Sequence, residues 1–251
     1  TPTPPSFADT KSFQFDGVTD YIVPLITSGL DFSGSFTLMA WVKTNAIGSN
    51  QFIIDTSTSV SSGNGYSVRI NTDGKIKFWS YAVAGLVNST TVLGTNIWYH
   101  IACVHDTVAG TNKIYIDGIL DNTSSYTFPT ASNTTNLRIG RSNLFAGSFD
   151  GFINEVGFFG TDLSANINSI FNGGLPDSLT AFNPSSWFRM GEEATWDGSK
   201  FVLDNQGSIG GTATSVGILP SDPNPTTDVP LFDNKSFTYD GIADYVNLGD
   251  N

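Results

Sequence analysis

Nearly every apolar run in this chain is short and alternates with polar residues, a pattern that only a pleated strand uses well. Phe36, Leu38, Ala40 and Val42 alternate with Ser35, Thr37, Met39, Trp41 and Lys43, and Tyr66, Val68 and Ile70 alternate with Ser67, Arg69 and Asn71. A period of two sends the two sets to opposite faces of a strand. Thr72-Asp73-Gly74 leads into Lys75 to Trp79, and Asp117-Gly118 joins Lys113–Ile116 to Ile119-Leu120. Both read as hairpins, because Asp-Gly supplies the positive φ that tight turns need. Further strands are predicted at 51–54, 97–104, 136–140, 151–159 and 186–190. One helix is predicted near 164–172, with Ser164 as its cap, Ile167, Ile170 and Phe171 as its apolar face and Gly173-Gly174 as its stop. A dozen short strands with one short helix predict an all-β chain folded as two packed antiparallel sheets.

A repeat sets the domain organisation. Residues 9–22 recur at 233–246 with eight of fourteen positions identical, an offset of 224 residues. The chain is therefore expected to hold a Pro-rich N-terminal segment (1–8), one sandwich (9–219), a Pro-rich linker (220–232) and the opening strands of a second copy (233–251). Within the sandwich, 9–174 carries the core blocks and 175–219 is expected to be an added strand pair or a return to the sheet. A lone strand pair has no core of its own. Either a second domain follows residue 251, or 233–251 completes a neighbouring subunit by strand addition.

Charge and cysteine content exclude several classes. Twenty-three acids against eleven bases give a net charge of −12, and no run of Lys or Arg interrupts it. Nucleic-acid binding needs the opposite footprint. Only Glu155, Glu192 and Glu193 are Glu, and Asp favours turns over helices. No apolar stretch reaches the ~18 residues needed to span a bilayer as a helix, so membrane insertion is not expected. The single Cys103 forms no internal disulfide and reads as a small buried hydrophobe. Abundant Asn, Ser, Thr and Gly suggest an extracellular or virion-surface setting.

Five blocks, in this order, resemble the laminin-G-like branch of the concanavalin A-like jelly rolls, to which pentraxins are related. They are Ser12-Phe-Gln-Phe-Asp-Gly-Val-Thr-Asp-Tyr-Ile22, Phe36 to Lys43, Trp98 to Val104, Lys113 to Gly118, and Phe149-Asp-Gly-Phe-Ile-Asn-Glu-Val-Gly-Phe-Phe159. The resemblance implies a jelly-roll sandwich in which the first strand lies near the Asn-Glu-Val strand. It also implies calcium near the loops of a sheet edge, for which Asp16, Asp20 and Glu155 are the candidate ligands, with Asp150 and Asn154 as further donors.

Catalysis is not expected. Glycoside hydrolysis needs two carboxylates flanking one bond, and adjacent Glu192 and Glu193 point to opposite faces if extended, reading as solvated acids in a turn. His100 and His105 lack a nucleophile pattern around them and read as sheet residues. Carbohydrate binding has more support, because aromatic faces stack on sugar C–H surfaces while short polar side chains meet hydroxyls. Trp79 and Tyr81 are the leading candidates, with Lys75, Lys77 and Trp79 on one strand face, and Trp41 is the third. The expected role is a non-catalytic adhesion or structural module of a virion, such as a phage fibre or decoration protein, or of an extracellular appendage. Its expected partners are glycans and copies of itself or other structural subunits; the alternative is an ancillary domain of a secreted glycan-degrading enzyme.

Overall fold

The computed structural model describes residues 7–26, 28–57, 65–80, 83–125, 136–222 and 224–231. Tyr81 and the second copy of the repeat lie outside them. In chain order the strands are β1 (Phe13–Asp16), β2 (Tyr21–Pro24), β3 (Phe36–Thr44), β4 (Gln51–Asp55), β5 (Tyr66–Ile70), β6 (Lys75–Ser80), β7 (Val83–Val92) and β8 (Tyr99–Asp106). They continue as β9 (Thr111–Ile116), β10 (Ile119–Ser124), β11 (Arg138–Ile139), β12 (Asp150–Phe159), β13 (Ser186–Phe188), β14 (Ala194–Trp196), β15 (Phe201–Asp204) and β16 (Thr212–Val216), with α1 (Ile167–Phe171), the one α-helix among the described residues, between β12 and β13. The first sheet runs β1-β12-β3-β8-β9-β10, with β13 also paired to β12. The second runs β14-β15-β16-β2-β11-β4-β5-β6-β7. Every neighbouring pair is antiparallel. The two-sheet antiparallel sandwich expected from the alternation is the fold of the chain.

The two hairpins form, by different turn chemistry. Asp117 and Gly118 both have positive φ (49° and 79°), as a two-residue primed turn requires. In the other hairpin only Gly74 is positive, at 77°, and its N–H donates to the Asn71 carbonyl. That is a type I turn closed by a glycine bulge. A third glycine is fixed by crowding: a Cβ on Gly151 would lie 2.1 Å from the Lys43 carbonyl oxygen, where β12 meets β3.

Phe13, Phe15, Ile22, Leu38, Val42, Val68, Phe78, Ile101, Cys103, Ile153 and Phe158 meet between the sheets in one buried core. Each large apolar side chain buried there contributes about 1.5–3 kcal/mol. The alternation misled on the other face of β3. Met39 and Trp41 do not face water, because α1 and the segment from Leu163 to Trp187 roof the first sheet with a second apolar layer of Met39, Ala102, Val104, Phe159, Ile167 and Ile170. Alone, the five-residue α1 would not be stable, and burial of Ile167 and Ile170 holds it. It is shorter than predicted, and Asn166 rather than Ser164 precedes it, with no side-chain cap. The Ser164 hydroxyl instead accepts from the Lys113 ammonium at 3.1 Å.

Residues 175–219 return to both sheets. β13 pairs with β12, while β16 pairs with β2 and β15 and β14 extend that sheet outward. The Pro-rich segment expected to be a linker is docked along the free edge of β1. Ser12 and Thr226 form an antiparallel bridge, and the Asn224 side chain accepts from Gln14 N–H at 2.7 Å and donates to its carbonyl at 3.0 Å. Asp228 then binds the Lys43 ammonium and the Trp98 indole N–H (2.9 Å), and Val229 is buried. An amide side chain thus satisfies the edge groups that would otherwise template aggregation.

The opposite seam is closed by side chains. Asp121 on β10 accepts from the N–H groups of Thr90 (2.5 Å) and Thr91 (3.1 Å) on β7, and Asn122 donates to the Asn88 carbonyl at 2.8 Å. Asp121→Ala strips two backbone donors of their acceptor and is expected to cost about 1–2 kcal/mol, with faster amide exchange at 90 and 91. Unchanged exchange there would show that the seam does not depend on this carboxylate.

Candidate functional site

Three polar assemblies stand out. The first is a clasp over the bulge in β12. Between Asn154 and Gly157 the register against β3 slips, and Glu155 takes a left-handed φ of 48°. Its carboxylate, 3% exposed, receives the Trp187 indole N–H at 2.5 Å and the Arg189 guanidinium at 3.2 Å. Arg189 also binds the Ala8 carbonyl, lies 3.6 Å from Glu193 and covers the Phe7 ring at 4.1 Å. Asn154 donates to both oxygens of Asp9 (2.8 and 3.0 Å), and Glu192 accepts from the N–H groups of Thr10 and Lys11. Glu192 is therefore a clamp on the N-terminal segment and not the solvated acid expected. Burial pushes Asp9 up to about 7 and Glu155 well above the usual carboxylate range, against the pull of Arg189.

The second is an acidic cleft of about 290 Å³ lined by Gln14, Asp16, Asp20, Gly217, Asp222 and Asn224. Burial, then repulsion from Asp16 and Asp222, pushes Asp20 up to about 6. Asp16 is exposed at the end of β1; what desolvation it suffers raises it, yet the N–H groups of Val18, Asp20 and Thr19 hold it below its ordinary value.

The five candidate calcium ligands do not converge. In the β1–β12 register Asp16 lies opposite Asp150 and Phe13 opposite Ile153, so Asn154 and Glu155 sit at the far end of the strand pair from Asp16. The donors are also engaged: Asp16 binds backbone N–H groups, Asp150 accepts from Asn45 at 2.9 Å and Glu155 faces Arg189. The set does not fit one hard cation wanting six to eight oxygens. Only Asp16 and Asp20 share a cleft, and Asp222 joins them there.

The third assembly is the face of the second sheet turned away from the core. Because Val68, Ile70, Ile76, Phe78 and Ile139 point inward, Ser67, Arg69, Lys75, Lys77, Trp79 and Arg138 point outward. Arg138, Asp55, Ser67 and Trp79 fall in one cross-strand row over β11, β4, β5 and β6. Asp55 is buried and accepts from Ser57 (2.5 Å) and Ser142 (2.8 Å). Half-buried Trp79 carries the Lys77 ammonium 3.8 Å over its ring and the Arg69 guanidinium at 5.7 Å. Tyr21 on β2 lies under Arg138 (5.8 Å) and Arg141 (5.4 Å). Trp79 thus sits on an accessible face together with Lys75 and Lys77, as its strand position implies.

Trp41 does not belong to that face. It is 4% exposed, stacked on Phe171 at 5.7 Å and packed on His100 at 5.1 Å beneath α1, and has no surface left for a sugar. His100 and His105 are buried sheet residues. Asp9, Arg189, Asp222, Tyr21 and Arg141 were not legible as site residues, since each lies far in sequence from its partners. Arg69 did carry a signal, as a cation at an outward strand position.

The laminin-G-type profile of the concanavalin A-like lectin/glucanases superfamily matches residues 16–166. The chain belongs to this superfamily, in its laminin-G-like branch. Comparison with curated protein sequences finds no match. Among solved structures, one from Bacteroides ovatus ATCC 8483, named as a proposed carbohydrate-binding protein, is 21% identical with a TM-score of 0.64, over 84% of this chain and 59% of that one. This chain thus spans less than two thirds of that protein. The heptameric SAP-like pentraxin of Limulus polyphemus is 15% identical, TM-score 0.52, over 65% and 82% of the two chains. The CBM40 of the Ruminococcus gnavus IT-sialidase, bound to α2,3-sialyllactose, is 12% identical, TM-score 0.52, over 64% and 96%. At these identities the likeness is one of fold.

Proposed function

We propose that this chain is a non-catalytic carbohydrate-binding module, one unit of a tandem series displayed on a virion or outside the cell. The observation that supports it is the outward face of the second sheet, where aromatic rings and hydrogen-bond donors share a firm pleated surface. Sugar recognition uses those two elements together. The names of two structural neighbours point the same way, each for its own protein.

A catalytic role fits the carboxylates poorly. Asp9, Glu155 and Glu192 lie within reach of one another, but Arg189, Asn154, Trp187 and two backbone N–H groups already occupy them. No room is left there for a glycosidic bond between two acids.

The test is titration of the whole chain with a panel of oligosaccharides, by calorimetry, in calcium and in EGTA. At least one saccharide class is expected to bind, and Trp79→Ala is expected to weaken it by roughly tenfold, about 1.4 kcal/mol, in a variant that still unfolds cooperatively above the titration temperature. Loss of binding in EGTA would give calcium a part in it. Absence of binding across the panel would overturn the proposal, and sugar turnover would overturn its non-catalytic half.

A further inference from the structure

Five of the chain's eleven Lys and Arg residues, Arg69, Lys75, Lys77, Arg138 and Arg141, belong to the outward side of the second sheet or its rim, in a molecule of net charge −12. Four of them, all but Lys75, group at two stations, each built on one aromatic ring. Arg69 and Lys77 share Trp79, and Arg138 and Arg141 share Tyr21. Trp79 and Arg138 are three strand steps apart in the same cross-strand row, roughly 14 Å at ~4.8 Å per step. Asp55 and Ser67 between them are buried, so two or three linked sugar rings would reach from one station to the other across a covered stretch.

The cations are placed against their own interest. Arg69 and Lys77 are directly opposed on neighbouring strands, where like charges destabilise a sheet. Burial and, next to it, the Arg69 charge push the Lys77 ammonium below its ordinary range, against a partial offset from the Asp73 carboxylate. The ion pairs among the described residues engage Lys43, Lys113 and Arg189, and none engages Lys75, Lys77, Arg138 or Arg141. Asp55, the acid between the stations, is buried and bound by two serine hydroxyls, and Asp73 sits at the hairpin turn and accepts from the Lys75 N–H. The connecting segments 58–64 and 126–135, outside the described residues, contain no charged residue in their sequence. An anion would relieve the repulsion that the sheet register imposes.

Building on the carbohydrate-binding reading above, we infer that the ligand of this face is an acidic saccharide, carrying carboxylate or sulfate groups that meet these cations. The overall negative charge disfavours indiscriminate attraction of polyanions, so binding must come from this local arrangement. Trp79 orients Lys77 and Arg69 and offers its remaining surface to the sugar.

The whole chain is titrated with three trisaccharides of one backbone: neutral, sialylated and sulfated. The acidic forms are expected to bind at least tenfold more tightly than the neutral one, with the two acidic arms separating carboxylate from sulfate recognition. Their affinity is expected to fall as salt is raised, because partly exposed charges are screened. Lys77→Glu and Arg141→Glu are each expected to weaken acidic binding by roughly tenfold. Lys200→Glu, which makes the same charge change at an exposed loop, is expected to leave it alone. Equal affinity for neutral and acidic forms, or acidic binding indifferent to the two reversals, overturns this inference while the carbohydrate reading stands. Binding of none of the three sugars, at unchanged melting temperature, overturns the inference here, and the wider panel then decides the reading.

Discussion

Arg189→Met is expected to lower the free energy of unfolding by about 3 kcal/mol, the usual cost of leaving a buried carboxylate without its cation. Glu155 is almost wholly buried and meets Arg189 at 3.2 Å, so removal of the guanidinium strips its ion-pair partner among the described residues and also frees the Ala8 carbonyl. The sign of the pH dependence follows from the raised position of Glu155. A carboxyl whose folded-state value lies above its unfolded value contributes stability at low pH and loses it as pH rises. Without Arg189 that value climbs further, so the gap between variant and wild type is expected to widen from pH 5 to pH 8. Denaturant unfolding at both values reads this out. Adding Glu155→Gln to Arg189→Met is expected to recover part of the loss, because no charge is then stranded. An equal loss at both pH values, or no recovery, would mean that Arg189 acts through packing on Phe7 and Trp187 alone.

The second large effect concerns His100. Burial against Trp41 and Phe171 pushes its imidazole down to about 3, so it stays neutral in the folded chain where an unfolded histidine would take a proton. A depressed folded-state value means stability that is complete above about pH 6.5 and is lost as pH falls, at about 1.4 kcal/mol per unit. His100→Leu removes this loss. Relative to wild type, the variant is expected to gain about 2 kcal/mol between pH 6.5 and pH 5, measured as the difference of two denaturation series. The difference matters because Asp9 and Asp20, raised to about 7 and about 6, titrate with the opposite sign and would flatten the wild-type profile. Parallel profiles for the two proteins would show that His100 is not the residue responsible.

The sandwich was legible because strand alternation and Asp-Gly turns are local signals, and so was the approach of β1 to β12 once the blocks resembled a known family. The roof over β3 was not. Met39 and Trp41 occupy positions that alternation assigns to solvent, and only the later return of 163–187 over the sheet buries them. The calcium ligands were grouped by residue type in neighbouring strands, but register decides which carboxylates meet, and one strand length separates Asp16 from Glu155. The cationic face was half visible. Lys75 and Lys77 were placed on one strand face and Arg69 on the polar side of its own strand, whereas Arg138, Arg141 and Tyr21 join them only through the order β2-β11-β4-β5-β6.

The Ser12–Thr226 bridge places the chain's way into the sandwich beside its way out. Because the two segments run antiparallel there, tension applied between residue 8 and residue 230 opens the pair one hydrogen bond at a time, like a peeled strip, and does not shear it. The hydrogen bonds of Glu192 to Thr10 and Lys11, and of Arg189 to Ala8, are the first to bear that load. Under mechanical pull the N-terminal segment is therefore expected to detach before either sheet opens, with the clasp as the first part to yield.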